Sequence, residues 1–185
     1  MKVFIVVIIF FLICKSCFPQ QIYNDTICAE SFCVNGVCIN DKIEELFNNI
    51  GTPISKQKII ADLEEHSEPT RFIYWYGDME FFEINNSVFK NRISGLKYEK
   101  GLLEESKINY PNIKFFIKSY QLESFTINDI AELFPNSYSN KEISSSSIFI
   151  KIILKQCEFS HQISDITFEF QNDTLIRFST NLYLE

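Results

Sequence analysis

The last forty residues alternate apolar and polar side chains, and this pattern constrains the fold more than any other feature of the chain. Residues 148–154, 166–171 and 176–184 place apolar side chains at nearly every second position. Successive side chains of a β-strand point to opposite faces, so each segment predicts a strand with one buried face. A turn at Asn172-Asp173 separates the second from the third. We therefore expect an antiparallel meander packed on one face.

Three helices are predicted ahead of this meander. Each begins with a residue whose side chain can cap the first helical turn, namely Asp41, Ser55 and Ser87. Apolar residues at helical spacing follow each cap, and Gly51 ends the first helix. The predicted helices cover residues 43–50, 55–66 and 87–96.

The remaining segments give shorter elements. Residues 71–76 and 79–84 are rich in aromatic and branched side chains around Gly77-Asp78, which predicts a β-hairpin with a two-residue turn. Residues 113–122 predict a further strand, residues 127–134 a short helix stopped by Pro135, and residues 136–147 a solvated serine-rich loop. The predicted class is α+β, with N-terminal helices packed on a curved, cone-like antiparallel sheet.

Residues 1–17 have the pattern of a cleaved secretory signal peptide. Lys2 precedes an apolar run over residues 3–13, which a short polar stretch ends. That run is shorter than the roughly 20 residues that cross a bilayer. We expect a secreted, extracellular protein with a cysteine-rich N-terminal knuckle over residues 18–40 and one domain over residues 41–185.

Cysteine parity predicts disulfides in the exported chain. Cleavage after Cys17 leaves Cys28, Cys33, Cys38 and Cys157, an even set that can pair fully. At most two of the first three can pair with each other, so one of them is expected to bond Cys157. The alternative is a free Cys157 thiol.

Glycosylation is predicted at three sequons in expected loops or turns. Their acceptor residues are Asn24, Asn85 and Asn172.

The charge balance argues against two classes of partner. Removal of Lys2 and Lys15 with the signal peptide takes the formal net charge from −7 to −9. An acidic chain is repelled by nucleic-acid phosphates and by anionic headgroups, so we expect neither nucleic-acid nor membrane binding.

Catalytic and metal-binding motifs are not found in the sequence. The five glycines are isolated, so no phosphate-binding loop is present. The two histidines, His66 and His161, lie in no nucleophile context, and a zinc site would need reduced thiolates. The sequence therefore predicts no cofactor, no metal and no catalytic residue.

The aromatic hairpin is the best candidate for a binding surface. Aromatic side chains at the mouth of a cone could contact an apolar ligand or a partner, although core packing is the alternative. The candidate residues are Tyr74, Trp75, Tyr76, Phe81 and Phe82.

The inferred order of two helices, a hairpin, a helix and antiparallel strands resembles the nuclear-transport-factor-two-like family, and secreted nematode proteins with such a domain in particular. The resemblance covers residues 41–185 and implies a curved sheet wrapped around a helix. It implies no functional residue, because this fold hosts isomerases, dehydratases, transport adaptors and binding domains alike.

The sequence favours a secreted, non-catalytic binding or structural domain with an unknown extracellular partner or apolar ligand. The alternative is a small cavity enzyme, such as an isomerase or hydrolase, with a buried Asp or Tyr. The predicted inward stripes over residues 148–154, 166–170 and 176–184 contain no Asp, Glu, His or Tyr, which favours binding.

Overall fold

More than half of the described residues belong to β-strands. A computed structural model describes residues 23–59, 70–85, 91–101, 113–157 and 161–182. The predicted signal peptide lies outside these residues. In chain order the strands are β1 Thr26–Cys28, β2 Cys33–Val34, β3 Val37–Cys38, β4 Ser55–Ile59, β5 Thr70–Tyr76, β6 Met79–Asn85, β7 Arg92–Glu99, β8 Phe116–Ile117, β9 Tyr120–Gln121, β10 Glu142–Ser144, β11 Ser147–Gln156, β12 His161–Gln171 and β13 Thr174–Leu182.

Three short α-helices occur within the described ranges: α1 Ile43–Asn49, α2 Ile127–Leu133 and α3 Pro135–Ser139. A capping box begins α2, because the Thr126 hydroxyl accepts from the Asp129 amide and the Asp129 carboxylate accepts from the Thr126 amide. Pro135 starts α3, and the Asp25 carboxylate accepts the Ser137 amide at 2.8 Å. A side chain that is distant in sequence thus satisfies one free N–H group of α3.

The strands form one large sheet and one small sheet. The large sheet has the order β1-β11-β12-β13-β7-β6-β5-β4, with β10 also paired to β11. Strand β1 runs parallel to β11, and the other neighbours are antiparallel. The small sheet has the order β3-β2-β8-β9. The predicted aromatic hairpin (β5–β6) and the C-terminal meander (β11–β13) are confirmed.

The hydrophobic core lies between one face of the large sheet and the segments that cover it. Alternate side chains of β5, β6, β7, β11, β12 and β13 are buried on that face. The cover consists of residues 29–39, α1, residues 115–125 and α2, which all contribute buried apolar side chains. Residues of the predicted N-terminal knuckle thus pack in the same core as the sheet.

The predicted fold class is wrong. The described residues are mostly strand, with a large mixed sheet and short helices, and they do not form N-terminal helices packed on a cone. The first predicted helix is confirmed as α1, although its N-cap is Lys42 and the Asp41 carboxylate accepts the Cys38 amide instead. The element order that suggested the nuclear-transport-factor-two-like family is not observed.

The second predicted helix begins instead as edge strand β4. Ser55 has the local signal of a helix cap, but its segment pairs with β5 in register Ser55 to Trp75 and Ile59 to Arg71. Without β4 the backbone of β5 would be an open sheet edge, so tertiary pairing overrides the local signal.

Residues 92–96 of the third predicted helix belong to strand β7, whereas residues 87–90 lie outside the described residues. A β-bulge explains the error. Glu83 pairs with Ile93 while Phe82 pairs with Gly95, so Ser94 is inserted without a partner position. The insertion turns both Ile93 and Leu96 toward the core, although they are three residues apart. Spacing of three is also the spacing of one helix face, and the sequence pattern cannot distinguish the two.

Two further predictions need correction. Residues 113–122 form the tight hairpin β8–β9 rather than one strand, with Lys118 at φ +55° in its turn. The predicted loop over residues 136–147 contains most of α3 and all of β10. The helix predicted over residues 127–134 is confirmed as α2.

Candidate functional site

The five candidate residues of the aromatic hairpin do not share one surface. Tyr74, Tyr76 and Phe81 are at most 1% exposed and pack in the core, whereas Trp75 and Phe82 are half-buried. Strand alternation explains the division, because neighbouring side chains of a strand point to opposite sides. Of the five, only Phe82 lines the cavity described next.

A partly enclosed cavity of about 250 Å³ lies at one end of the large sheet. We call it the Arg71 cavity. Its apolar walls come from the end of β4, the start of β5 and the end of β6, which antiparallel pairing brings to the same end of the sheet. These walls are Ile59, Phe72, Phe82 and Ile84.

Strands β7 and β13 separate at the end of the sheet where the Arg71 cavity lies. Their ladder covers only the register from Arg177–Glu99 to Ser179–Lys97. Beyond it the Thr180 hydroxyl accepts the Leu96 amide at 3.0 Å and donates to the Leu96 carbonyl at 3.3 Å. The two strands therefore separate without leaving this backbone unsatisfied.

Two charged side chains line the cavity, Arg71 and Glu83. The Nε atom of Arg71 is buried and has no hydrogen-bond partner among the described residues. Glu83 is 4% exposed, and its Oε2 atom accepts a hydrogen bond from the Tyr74 hydroxyl. Among the described residues, the four ion pairs of the structure include neither Arg71 nor Glu83.

The register explains why these opposite charges do not meet. Arg71 is opposite Ile84, and Glu83 is opposite Phe72, so the two charged residues are offset by one position. Alternation directs side chains at such positions to opposite sides of the strands. Both residues line the cavity, which lies where β5 begins and β6 ends.

Tyr74 joins the cavity to an aromatic cluster beside it. Burial, reinforced by the hydrogen bond to Glu83, raises the pKa of Tyr74 well above its usual value. The Lys56 ammonium lies 3.9 Å from the ring centroid of Phe72 and 4.9 Å from that of Tyr74, while the half-exposed Phe47 packs edge-on against Tyr74. These contacts fix the Phe72 wall of the cavity.

Two tyrosine-to-phenylalanine variants test the buried hydroxyl groups. Tyr98 is 1% exposed, and no hydrogen-bond partner of its hydroxyl lies in the part of the chain that the structure describes. Tyr98→Phe is therefore expected to leave the free energy of unfolding unchanged or to raise it by about 1 kcal/mol. Tyr74→Phe leaves buried Glu83 without its donor, and we expect a loss of about 1–3 kcal/mol. Denaturant unfolding of both variants measures the difference, and a larger loss for Tyr98→Phe would contradict it.

A second cavity, of about 270 Å³, lies between the β2–β3 hairpin, β8 and α2. Its walls include Phe32, Phe116 and Phe134. Its polar lining residues are Ser31, Asn35 and Lys118, and the Asn35 side-chain amide donates to the Lys114 carbonyl and accepts from the Phe116 amide, both at 2.8 Å. Unlike the Arg71 cavity, this cavity is lined by no described residue with a buried side-chain N or O atom that lacks a hydrogen-bond partner.

The four described cysteines form two pairs at disulfide distance, Cys28 with Cys157 and Cys33 with Cys38. The first pair agrees with the expectation that Cys157 bonds one of the N-terminal cysteines. Of the sequons, Asn172 is exposed in the β12–β13 turn, whereas the Asn24 side-chain oxygen accepts a hydrogen bond from Asn140. Asn85 ends β6, paired with Thr70.

The metal-ligating side chains of the described ranges are not clustered. No group of three or more His, Cys, Asp and Glu side chains is placed to hold a metal ion there. His66 lies outside these ranges, and His161 begins β12. No described helix is long and apolar enough to cross a membrane.

Comparison with known proteins adds no identification, because no family model, curated protein or solved structure matches the chain. Any function must therefore be inferred from the site itself. Sequence reasoning selected Phe82 but missed Arg71, Glu83, Ser94 and Thr180. The sequence did contain a signal for Glu83. It follows Met79 and Phe81 at two-residue intervals, so strand alternation places all three side chains on one face.

Proposed function

We propose that the protein is a secreted, non-catalytic binding domain that takes a small, largely apolar ligand in the Arg71 cavity. The observation that carries this proposal is a partly enclosed, mainly apolar cavity that also holds two charged groups. Mostly apolar walls with a few placed polar groups are typical of small-molecule sites. The volume of about 250 Å³ is below the roughly 300–1,000 Å³ of drug-sized ligand sites, so the ligand is small.

Secretion is supported by the cysteine pairs and by the N-terminal sequence. Disulfides persist in oxidising compartments, and the pattern of residues 1–17 is that of an export signal. Of the three sequons, Asn172 is the best placed for a glycan because it is exposed in a hairpin turn.

A neutral probe tests the cavity independently of its charges. We expect toluene to shift the amide NMR signals of residues that line the Arg71 cavity, because its apolar walls can bury a small aromatic ring. Ile59→Trp places a larger side chain at the cavity wall and should abolish these shifts.

Ile143→Trp is the matched control, since Ile143 is 71% exposed on β10 and does not line the cavity. Toluene should shift the same signals in this variant as in the unmodified protein. Absence of shifts at the cavity, or equal shifts in the Ile59→Trp variant, would show that the cavity does not bind small apolar ligands.

A further inference from the structure

The Arg71 cavity holds one positive and one negative side chain that do not neutralise each other. Arginine and glutamate side chains are seldom buried unless they are paired. Elsewhere on the sheet this rule holds for buried carboxylates: Glu80 pairs with Lys97 and Asp165 pairs with Lys151, both at 3.4 Å. Arg71 instead has a buried Nε atom without an acceptor.

The contacts of the Glu83 carboxylate replace only part of the hydration that it loses on burial. The Tyr74 hydroxyl donates to its Oε2 atom, and no cation lies within ion-pair distance among the described residues. A buried carboxylate that receives one neutral hydrogen bond lacks much of the solvation that water would supply. The cavity therefore offers an acceptor for a cation beside a donor for an anion.

The charge pattern discriminates among ligand classes. A ligand with only a carboxylate would satisfy Arg71 but would be repelled by Glu83. A ligand with only an ammonium group would satisfy Glu83 but would be repelled by Arg71. A neutral ligand would leave both groups uncompensated. A ligand that carries both charges matches the cavity.

We propose that the ligand is a zwitterion, an α-amino acid with an apolar side chain. Its carboxylate pairs with the Arg71 guanidinium, whose planar fork suits a carboxylate. Its ammonium group donates to the Glu83 carboxylate, and its side chain packs against Phe72, Phe82 and Ile84. The inference rests on the proposed function, because it names the ligand class of the same cavity.

Three related compounds test this inference on the full disulfide-bonded protein. L-Phenylalanine carries both charges, phenylalanine amide lacks the carboxylate, and N-acetylphenylalanine lacks the ammonium group. Titration calorimetry should show that phenylalanine binds at least about tenfold more tightly than either derivative, because each derivative loses one hydrogen bond between charged groups.

Two charge-removing variants assign each contact. Arg71→Gln should abolish the preference for phenylalanine over its amide, and Glu83→Gln should abolish the preference over the N-acetyl compound. The glutamine at position 83 keeps an oxygen that can accept from Tyr74. Arg177→Gln is the matched control, because Arg177 lies outside the cavity, and it should leave all three affinities unchanged.

The toluene experiment separates failure of this inference from failure of the proposed function. If toluene binds in the cavity and the three phenylalanine compounds bind equally, the cavity takes apolar ligands and the zwitterion inference is wrong. If neither toluene nor any phenylalanine compound binds, both proposals are wrong. Loss of the phenylalanine preference in Arg71→Gln with toluene binding retained would support the inference directly.

Discussion

Replacing Cys28 and Cys157 together with serine is expected to lower the free energy of unfolding by about 5 kcal/mol. The two residues are 129 positions apart in sequence, and their Cα atoms are 5.4 Å apart, a separation typical of disulfides. In the chain-entropy model such a bond removes a large loop-closure entropy from the unfolded chain. Since domains are stable by about 5–15 kcal/mol, this loss would leave a marginal fold.

The second cysteine pair supplies a control with the same chemistry. Cys33 and Cys38 are only five positions apart, so the model gives about 2 kcal/mol for their bond. Guanidinium unfolding of both double-serine variants measures the contrast, and peptide mapping without reductant confirms the pairing. Equal losses for the two variants, or a map that places Cys157 as a free thiol, would contradict the expectation.

The parts of the fold that sequence predicted are those where local pattern and tertiary packing agree. Strands β11 to β13 have long regular alternation, and α2 ends where Pro135 prevents continuation. The predictions were wrong where the local sequence pattern and the tertiary packing favour different structures. Ser55 marks a helix cap locally, yet the open edge of β5 requires a strand there. The Ser94 bulge gives β7 the apolar spacing of a helix.

The charged residues of the candidate site were not predicted from the sequence for a related reason. Buried ionisable groups were sought in the sequence only within the predicted inward stripes of the C-terminal strands, which contain none, whereas Asp165 of β12 lies outside those stripes and is 2% exposed. Glu83 lies in β6 at alternate positions with Met79 and Phe81, so its side chain is on the same buried face of the sheet. Arg71 could not be recognised in this way, since it lines the cavity only when β4 and β6 pair on either side of β5. That pairing is long-range and has no local sequence pattern.

Phe32→Ala is expected to lower the free energy of unfolding by about 3–5 kcal/mol, the usual cost of truncating a buried phenylalanine. Phe32 belongs to the segment predicted as an N-terminal knuckle, but it is 1% exposed. Its ring packs edge-on against Phe168 and Phe178, with centroid distances of 6.2 and 5.9 Å. Each such aromatic pair contributes about 0.5–1.5 kcal/mol beyond the buried area.

Phe47→Ala provides the matched control for Phe32→Ala. Phe47 is 39% exposed and has one aromatic contact, to Tyr74 at 5.6 Å, so its loss should cost about 1 kcal/mol. Chemical denaturation with the disulfides intact measures both variants. A loss for Phe32→Ala as small as that for Phe47→Ala would mean that residues 29–39 are peripheral to the core. The larger loss that we expect for Phe32→Ala would show that this segment belongs to the core. The Cys28–Cys157 bond and the packing of Phe32 on the sheet then both stabilise the same N-terminal residues.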